Sequence, residues 1–292
     1  MDFSIITPSF NMHTYLVRAR ASVADQQGVT VEHLVMDGGS ADGTVPWLQQ
    51  HALPLEQQDV LPDGDRFLFR SGPDKGMYDA LNQGFASARG SIVAWLNCDE
   101  QYLEGTLAWV KARFDEDPEL DILFGGALLV DPEGGLLAAR KAYPARQAFI
   151  ATAHLYNLSC ATFFRRSLWD NGLRFDTRFR NLGDHDLMLR ALAGGARTRS
   201  VARTLSAFTF TGGNLSWTDA ARRESEQLHA EAPGWMRLLK APINGMRLLE
   251  KAARGGYKSG PLRYSIYTPG DVERRHSFSV DRAPVKWPQD AG

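Results

Sequence analysis

The sequence predicts an α/β fold with a largely parallel sheet, and three observations carry that expectation. Short apolar, β-branched runs alternate with helix-length segments through the first hundred residues. Polar residues cluster where those runs end, which is where open α/β sheets bind ligands. The chain has 292 residues and 43% hydrophobic composition, enough for a large core without disulfides or a structural metal.

Phe3–Thr7 reads as a first strand closed by Pro8, and a helix follows from about His13 to Gln26, with Tyr15, Leu16, Ala19 and Val23 at helical spacing. Val31–Met36 is a second strand, ended by Asp37-Gly38-Gly39-Ser40. A short helix over Thr44–His51 precedes a weaker strand over Arg66–Arg70. Lys75–Arg89 is a helix with Met77, Leu81, Phe85 and Ala88 on one face, and Ser91–Leu96 is a buried strand. Strands separated by helices imply right-handed crossovers and a sheet covered on both faces.

Beyond Asn97 the pattern turns mixed. Leu103–Asp115 and His185–Ala193 read as helices, and Cys160–Phe164 and Ser200–Phe210 as strands. Asp121–Val130 reads as two strands broken at Gly125-Gly126. Gly212-Gly213-Asn214 reads as a tight turn, and residues from Asp219 onward as helical and then irregular. The expected organisation is a body over 1–217, made of a nucleotide-binding half (1–96) and a second half on the same sheet (97–217), followed by a C-terminal appendage over 218–292.

Charge and composition exclude several classes. The 33 Lys+Arg nearly cancel 34 Asp+Glu, so there is no global basic field for nucleic acid. Two cysteines, Cys98 and Cys160, without C-x-x-C spacing read as buried, reduced thiols of a cytosolic protein. No signal-peptide pattern or membrane-length apolar run occurs, and the seven histidines lack zinc-site spacing.

The chemistry sits at the strand ends. Thr7-Pro8-Ser9-Phe10-Asn11, Asp37 and Asn97-Cys98-Asp99-Glu100 would converge on one crevice, suited to a nucleotide-like ligand with a metal. Neither G-x-G-x-x-G nor G-x-x-x-x-G-K-[ST] is present. Phosphate charge must be met otherwise, with Asp99 and Mn²⁺ or Mg²⁺ as the evident means.

The segments SIITPSFN (4–11), VMDGGSADGT (35–44), DKGMYDALNQGFASARG (74–90), WLNCDE (95–100) and GDHDLMLR (183–190) together resemble family 2 glycosyltransferases, in order and spacing over about residues 3–216. The resemblance implies a GT-A fold, with a Rossmann-like half and a mixed-sheet acceptor half, and inverting transfer from a nucleotide-diphosphate sugar. It implies that Thr7–Asn11 and Asp37, with Gly38, Gly39 and Ser40, hold base and ribose. Asp74 and Lys75 would lie near the diphosphate or donor sugar, with Asp79 and Asn82 on the helix beside them. Asp99 matches the last acid of the metal-binding Asp-x-Asp, whose first position is Asn97 here, and Asp184 matches the acceptor's base. The expected partners are a UDP-sugar, with GDP- and dTDP-sugars next, and a saccharide or lipid-linked acceptor. The expected setting is cytoplasmic or at the inner face of the membrane.

Three departures stand out: Gly38 replaces a second acid, Phe10 a stacking Tyr, and Asn97 the first Asp. They keep open a catalytically silent nucleotide-sugar-binding or scaffold protein. Structural readings compete too. Asp184 could be only a helix N-cap, Asp42 reads as the cap of the next helix, Asp37 could simply close a turn, and Asp79 could complement its helix dipole. Residues 233–258 carry six basic residues against one acid, Glu250, beside Trp235, Met236, Leu238 and Leu249. A helix pair kinked at Pro242 and packed on the body is the favoured reading, and an anchor on anionic lipid the other.

Overall fold

The computed structural model describes residues 1–60, 64–211 and 219–287. The turn expected at 212–214 lies outside them. In chain order the elements are β1 (Phe3–Ser9), α1 (His13–Ala24), β2 (Val31–Asp37), α2 (Thr44–His51), β3 (Leu53–Pro54), β4 (Arg66–Ser71), α3 (Met77–Ser87) and β5 (Ile92–Trp95). Then follow β6 (Glu100–Tyr102), α4 (Thr106–Glu116), β7 (Ile122–Val130), β8 (Leu136–Arg140), α5 (Gln147–Thr152), β9 (Thr162–Arg165), α6 (Ser167–Asp170), α7 (Gly183–Ala193) and β10 (Thr198–Thr209). The tail holds α8 (Asp219–Glu231), α9 (Gly234–Leu238), α10 (Lys240–Ala253), β11 (Leu262–Thr268) and β12 (Asp271–Val280).

The described strands β1–β10 form one sheet in the order β3-β4-β2-β1-β5-β9-β7-β10-β6, with β8 on β7. The β3-β4-β2-β1-β5 side is parallel. Beyond β5 the sheet turns mixed, with β9 antiparallel to both β5 and β7. β2 is buried at all seven positions and β7 at all nine, as strands covered on both faces must be. One core lies under α3 and α7 around Ile6, Leu81, Phe85 and Trp95, and the other under α1 and α4 around Phe3, Ala19, Val110 and Phe163.

Four expectations are corrected. β1 runs through Pro8 to Ser9, because pairing with β5 has already ended at Ile6–Trp95 and no partner there asks for an N–H. The Gly125-Gly126 pair does not split β7. A Cβ on Gly125 would lie 2.2 Å from Leu205, so the pair lets irregular β10 approach closely, with its register shifts between Ser200 and Ser206. Pro242 sits in the first turn of α10, where its missing N–H costs nothing, and the break between α9 and α10 falls at Leu239. Residues 262–280 are an antiparallel hairpin rather than irregular, turning at Thr268–Asp271 around Pro269-Gly270.

The hairpin packs on the body: Tyr264 and Ile266 join Leu128, Val130 and Ala207, while Arg275 forms a bidentate pair with Asp25, just past the end of α1, at 2.5 and 2.8 Å. α9 and α10 dock on α5 through buried Met236 and Ile243. Their outer face leaves Trp235, Leu238, Met246, Leu248 and Leu249 exposed. No helix among the described residues is long and apolar enough to cross a membrane.

Candidate active site

A cleft of about 1470 Å³ opens at the carboxyl ends of β1, β2 and β5. Of the residues singled out in the sequence, it gathers Pro8, Ser9, Phe10, Gly38, Asp74, Asn97, Asp99 and Asp184 on its walls. Thr7, Asn11, Asp37, Gly39, Ser40, Lys75, Asp79 and Asn82 stand behind or beside the lining, and their hydrogen bonds say why.

Asp37 spends both carboxylate oxygens on its own turn. Oδ2 accepts from the N–H groups of Gly39 and Ser40 at 3.0 Å each and from Ser71 Oγ at 2.6 Å, while Oδ1 accepts from Ser40 Oγ at 2.5 Å. Asn11 takes the left-handed conformation, φ 53°, and joins the two strand-end loops: its Oδ1 accepts from Ala41 N–H at 2.8 Å and its N–H donates to Ser40 Oγ at 2.8 Å. Asp42 bonds Thr44 N–H and, from α1, His13 N–H, so one carboxylate fixes the starts of two helices. Asp79 receives Lys75 N–H and Gln83 Nε2, and Asn82 pairs with the backbone of Phe175 at 2.9 Å. Thr7 is buried against His33.

These frames leave a wall made of backbone and Phe10, whose ring is 63% exposed. An unsupported aromatic at a cleft mouth is a stacking surface for a planar ring. The glycine at 38 has a local reason. A Cβ there would lie 3.0 Å from Asp74 Oδ2 and 3.4 Å from the Phe10 ring, so Asp74 and Phe10 occupy the space a side chain would need. Asp74 itself caps its loop by accepting Gly76 N–H at 2.7 Å.

Asp99 lies half-buried on the cleft floor, with burial pushing its carboxyl up and the Arg18 guanidinium pulling it back. Glu100 behind it is buried, and its carboxylate accepts Asn97 N–H at 2.7 Å and Asn97 Nδ2 at 3.2 Å. Its pKa is pushed up by burial and by the neighbouring Asp99 and Asp184. This bond turns the Asn97 amide so that Oδ1 is buried without a hydrogen-bond partner among the described residues. One free carboxylate and one orphaned amide oxygen suit Mg²⁺ or Mn²⁺, which take few protein ligands and complete their shell with phosphate oxygens and water. No group of three or more His, Cys, Asp or Glu side chains that could hold a metal ion occurs among the described residues.

Asp184 is the second residue of α7, not its cap: Leu182 holds that position, and the Asp184 carboxylate accepts the His185 N–H at 2.9 Å. The loop leading into α7 is held by Glu224 of α8, which accepts from the N–H groups of Arg180, Asn181 and Leu182 at 2.8–2.9 Å. Tyr78 of α3 donates to the Asn181 carbonyl at 3.0 Å and lies 3.4 Å from Asp184 Oδ1. Burial pushes Asp184 up to about 6 from the ordinary 3.8. The Arg180 guanidinium bonds the Lys75 carbonyl, tying the two sides of the cleft together.

Sequence reasoning missed Glu224, Tyr78, Arg140 and Trp287. Only Tyr78 left a signal, as the aromatic next to the expected Met77 face. The others act across sequence distance; Arg140 and Trp287 line the cleft at the end away from Phe10, with Arg140 Nη1 3.3 Å from the Val285 carbonyl.

Residues 4–181, more than half of the chain, match the model of Glycosyl transferase family 2. A PGL/p-HBAD biosynthesis glycosyltransferase of Mycobacterium bovis is 29% identical over 201 residues, 66% of this chain and 71% of that protein. Succinoglycan biosynthesis protein ExoO of Rhizobium meliloti is 30% identical over 210 residues, 67% of this chain and 57% of that one. Among solved structures, S. aureus TarS 1-349 in complex with UDP-GlcNAc superposes with TM-score 0.58 at 16% identity, covering 88% of this chain and 76% of that one. The mannosyltransferase PcManGT from Pyrobaculum calidifontis, in complex with GDP-Man and Mn²⁺, gives TM-score 0.52 at 19% identity, with 87% and 75% covered. With strand-end cleft, mixed sheet and family match in agreement, this chain belongs to glycosyl transferase family 2, a glycosyltransferase of GT-A fold.

Proposed function

We propose that the enzyme transfers a sugar from a nucleotide diphosphate sugar, with inversion, to a saccharide or lipid-linked acceptor. The observation that carries this is the carboxyl of Asp184, aimed into the cleft and held up to about 6. A base of that pKa is ionised at neutral pH and still close enough to it to accept a proton.

Phe10 would stack on the base while Ser9, Gly38 and Asp74 border the ribose and phosphates. Asp184 would take the proton from the acceptor hydroxyl as that oxygen attacks the anomeric carbon, from the face opposite the departing diphosphate. Tyr78 and the His185 N–H hold the Asp184 carboxylate in place for that transfer. A divalent cation on Asp99 and Asn97 Oδ1 would supply charge neutralisation to the leaving diphosphate. Glu100 keeps Asn97 turned for that contact.

Relatives named for PGL/p-HBAD and succinoglycan biosynthesis support a setting in surface glycolipid or polysaccharide assembly. TarS with UDP-GlcNAc and PcManGT with GDP-Man support UDP first and GDP second as the donor's nucleotide. Peripheral contact with an anionic bilayer through 233–258 belongs to the same proposal. Exposed Trp235, Leu238 and Leu249 lie beside exposed Arg237 and Lys240 on that outer face, and flotation with anionic liposomes tests it.

A thermal-shift panel of UDP, GDP, dTDP and CDP, with and without Mn²⁺, tests the donor site. A ligand at a hundred times its Kd adds about 2.7 kcal/mol, or a rise of roughly 5–10 °C for a chain of this size. A metal-dependent rise with one nucleotide is expected. No rise with any of them overturns the donor assignment.

A further inference from the structure

The cleft has room for more than one ligand. Pockets that take a single drug-sized molecule run to about 300–1,000 Å³, and this one is about 1470 Å³. At the end away from Phe10 its wall includes Arg140, His154 and Trp287. Trp287 belongs to none of the hydrophobic cores among the described residues. Its ring is half-buried, with the Arg140 guanidinium 5.7 Å from the ring centre, and its indole N–H forms no hydrogen bond among the described residues. The backbone leading to it is nevertheless fixed. Ala283 N–H donates to the Gly260 carbonyl at 2.9 Å, Ala139 N–H to the Pro284 carbonyl at 2.7 Å, and Arg140 Nη1 to the Val285 carbonyl at 3.3 Å. An aromatic ring carried by a seated segment, lining open space and packing in no core, is placed for a ligand.

His154 supplies polar groups beside it. Its ring meets Tyr156 edge-on with centres 6.3 Å apart, and its nitrogens form no hydrogen bond among the described residues. Burial, followed by the charges of Arg247, Arg140 and His185, pushes its pKa down to about 4. At neutral pH the imidazole is therefore uncharged and offers one donor and one acceptor. The charges of Arg140 and His185 both reach His154, and His185 follows Asp184 in the chain, so indole, imidazole and carboxyl border one stretch of the cleft.

We propose that Trp287 and His154 form the subsite for the acceptor's sugar ring: the indole packs on the apolar C–H face of a pyranose, and the imidazole exchanges hydrogen bonds with its hydroxyls while one of them reaches Asp184. The inference rests on the transferase reading above. It adds the residues that select the acceptor, and it makes the reacting end of the acceptor a pyranose rather than a bare lipid alcohol. Trp287 lies well past residues 4–181, so part of that selection is made outside the family-matched body.

The test is saturation-transfer NMR on the full chain with the methyl pyranosides of glucose, galactose, mannose and rhamnose, each with and without the nucleoside diphosphate found in the thermal panel. At least one pyranoside is expected to receive saturation from wild type, and Trp287→Ala to weaken its binding about tenfold, the scale of stacking on one aromatic ring. Trp287→Phe keeps a ring and is expected to retain most of the binding. His154→Ala, on a different segment, is expected to weaken it too and is the independent check should Trp287→Ala not fold. Trp235→Ala removes an exposed indole from the outer face of α9 and is expected to bind as wild type. Silence of every pyranoside, or wild-type binding by a folded Trp287→Ala or by His154→Ala, overturns the subsite. Failure of the nucleotide panel alone strikes the donor assignment instead, since the pyranosides are also read without nucleotide.

Discussion

The two ends of the cleft are built by opposite means. At the Phe10 end, Asp37 and Asp79 fix their own turns, while Asn11 and Asp42 tie the two neighbouring strand-end loops to each other. At the Asp184 end, the supports come from afar: Glu224 reaches back more than forty residues to hold the loop before α7, and Tyr78 reaches forward over a hundred. The first end is a rigid backbone template and the second an assembly of separate segments. Substitutions should therefore act locally at one and at a distance at the other.

The largest effect falls on Asp184. Asp184→Asn is expected to lower transfer by about 10²–10⁴-fold. The same variant should be more stable than wild type at pH 8. Asp184 has its folded pKa raised from 3.8 to about 6, so its favourable contribution is present below pH 3.8 and lost as pH rises through 6. The gain is about 2–3 kcal/mol at pH 8 and absent near pH 3.5, read from Tm at the two pH values. In wild type, kcat/KM should fall about tenfold per pH unit below 6, because a protonated Asp184 cannot accept the acceptor's proton. A flat profile between pH 5 and 8 would exclude Asp184 as the base.

Glu224→Ala tests action at a distance. It leaves three backbone donors in the loop before α7 without their acceptor and is expected to cost about 2 kcal/mol in chemical denaturation. It should also lower kcat with little change in nucleotide affinity. An equal loss in nucleotide affinity would mean that the two ends are not independent.

Phe10→Ala tests the local end. An exposed ring contributes little to stability, so Tm should hold, while nucleotide Kd rises by about 1–2 kcal/mol in a titration. The smallest effect is expected from Gly38→Ala. Its methyl would need only a few tenths of an ångström from Asp74 and Phe10, costing less than about 1 kcal/mol in Tm and activity.

How far the sequence could be read follows the same division. The parallel strands, their helices and the turn chemistry of Asp37 and Asp42 are local patterns, visible as apolar runs and short polar spacings. The family resemblance brought Asp99 and Asp184 to one cleft. The spacing offered Asp37 both as a nucleotide ligand and as a turn closer, and only its hydrogen bonds with Gly39, Ser40 and Ser71 show its carboxylate holding the turn. Spacing did not reveal Glu224 or Arg140, whose partners are brought near only by the fold. The β11–β12 hairpin was missed because Leu262, Tyr264 and Ile266 alternate with polar residues for too short a span to stand out from an irregular tail.

The backbone of Ala283–Val285 has a consequence in time. Pro284 accepts from Ala139 N–H at 2.7 Å, and Val285 holds Arg140 from a point 145 residues later in the chain. During synthesis at about 5–20 residues per second, roughly 7–30 s separate the making of Arg140 from the arrival of the segment that seats it. The Phe10 end can close early in translation, from residues already in place. The wall that Arg140 lines stays open until the later segment emerges, so a nascent chain would build the Phe10 wall of the cleft first.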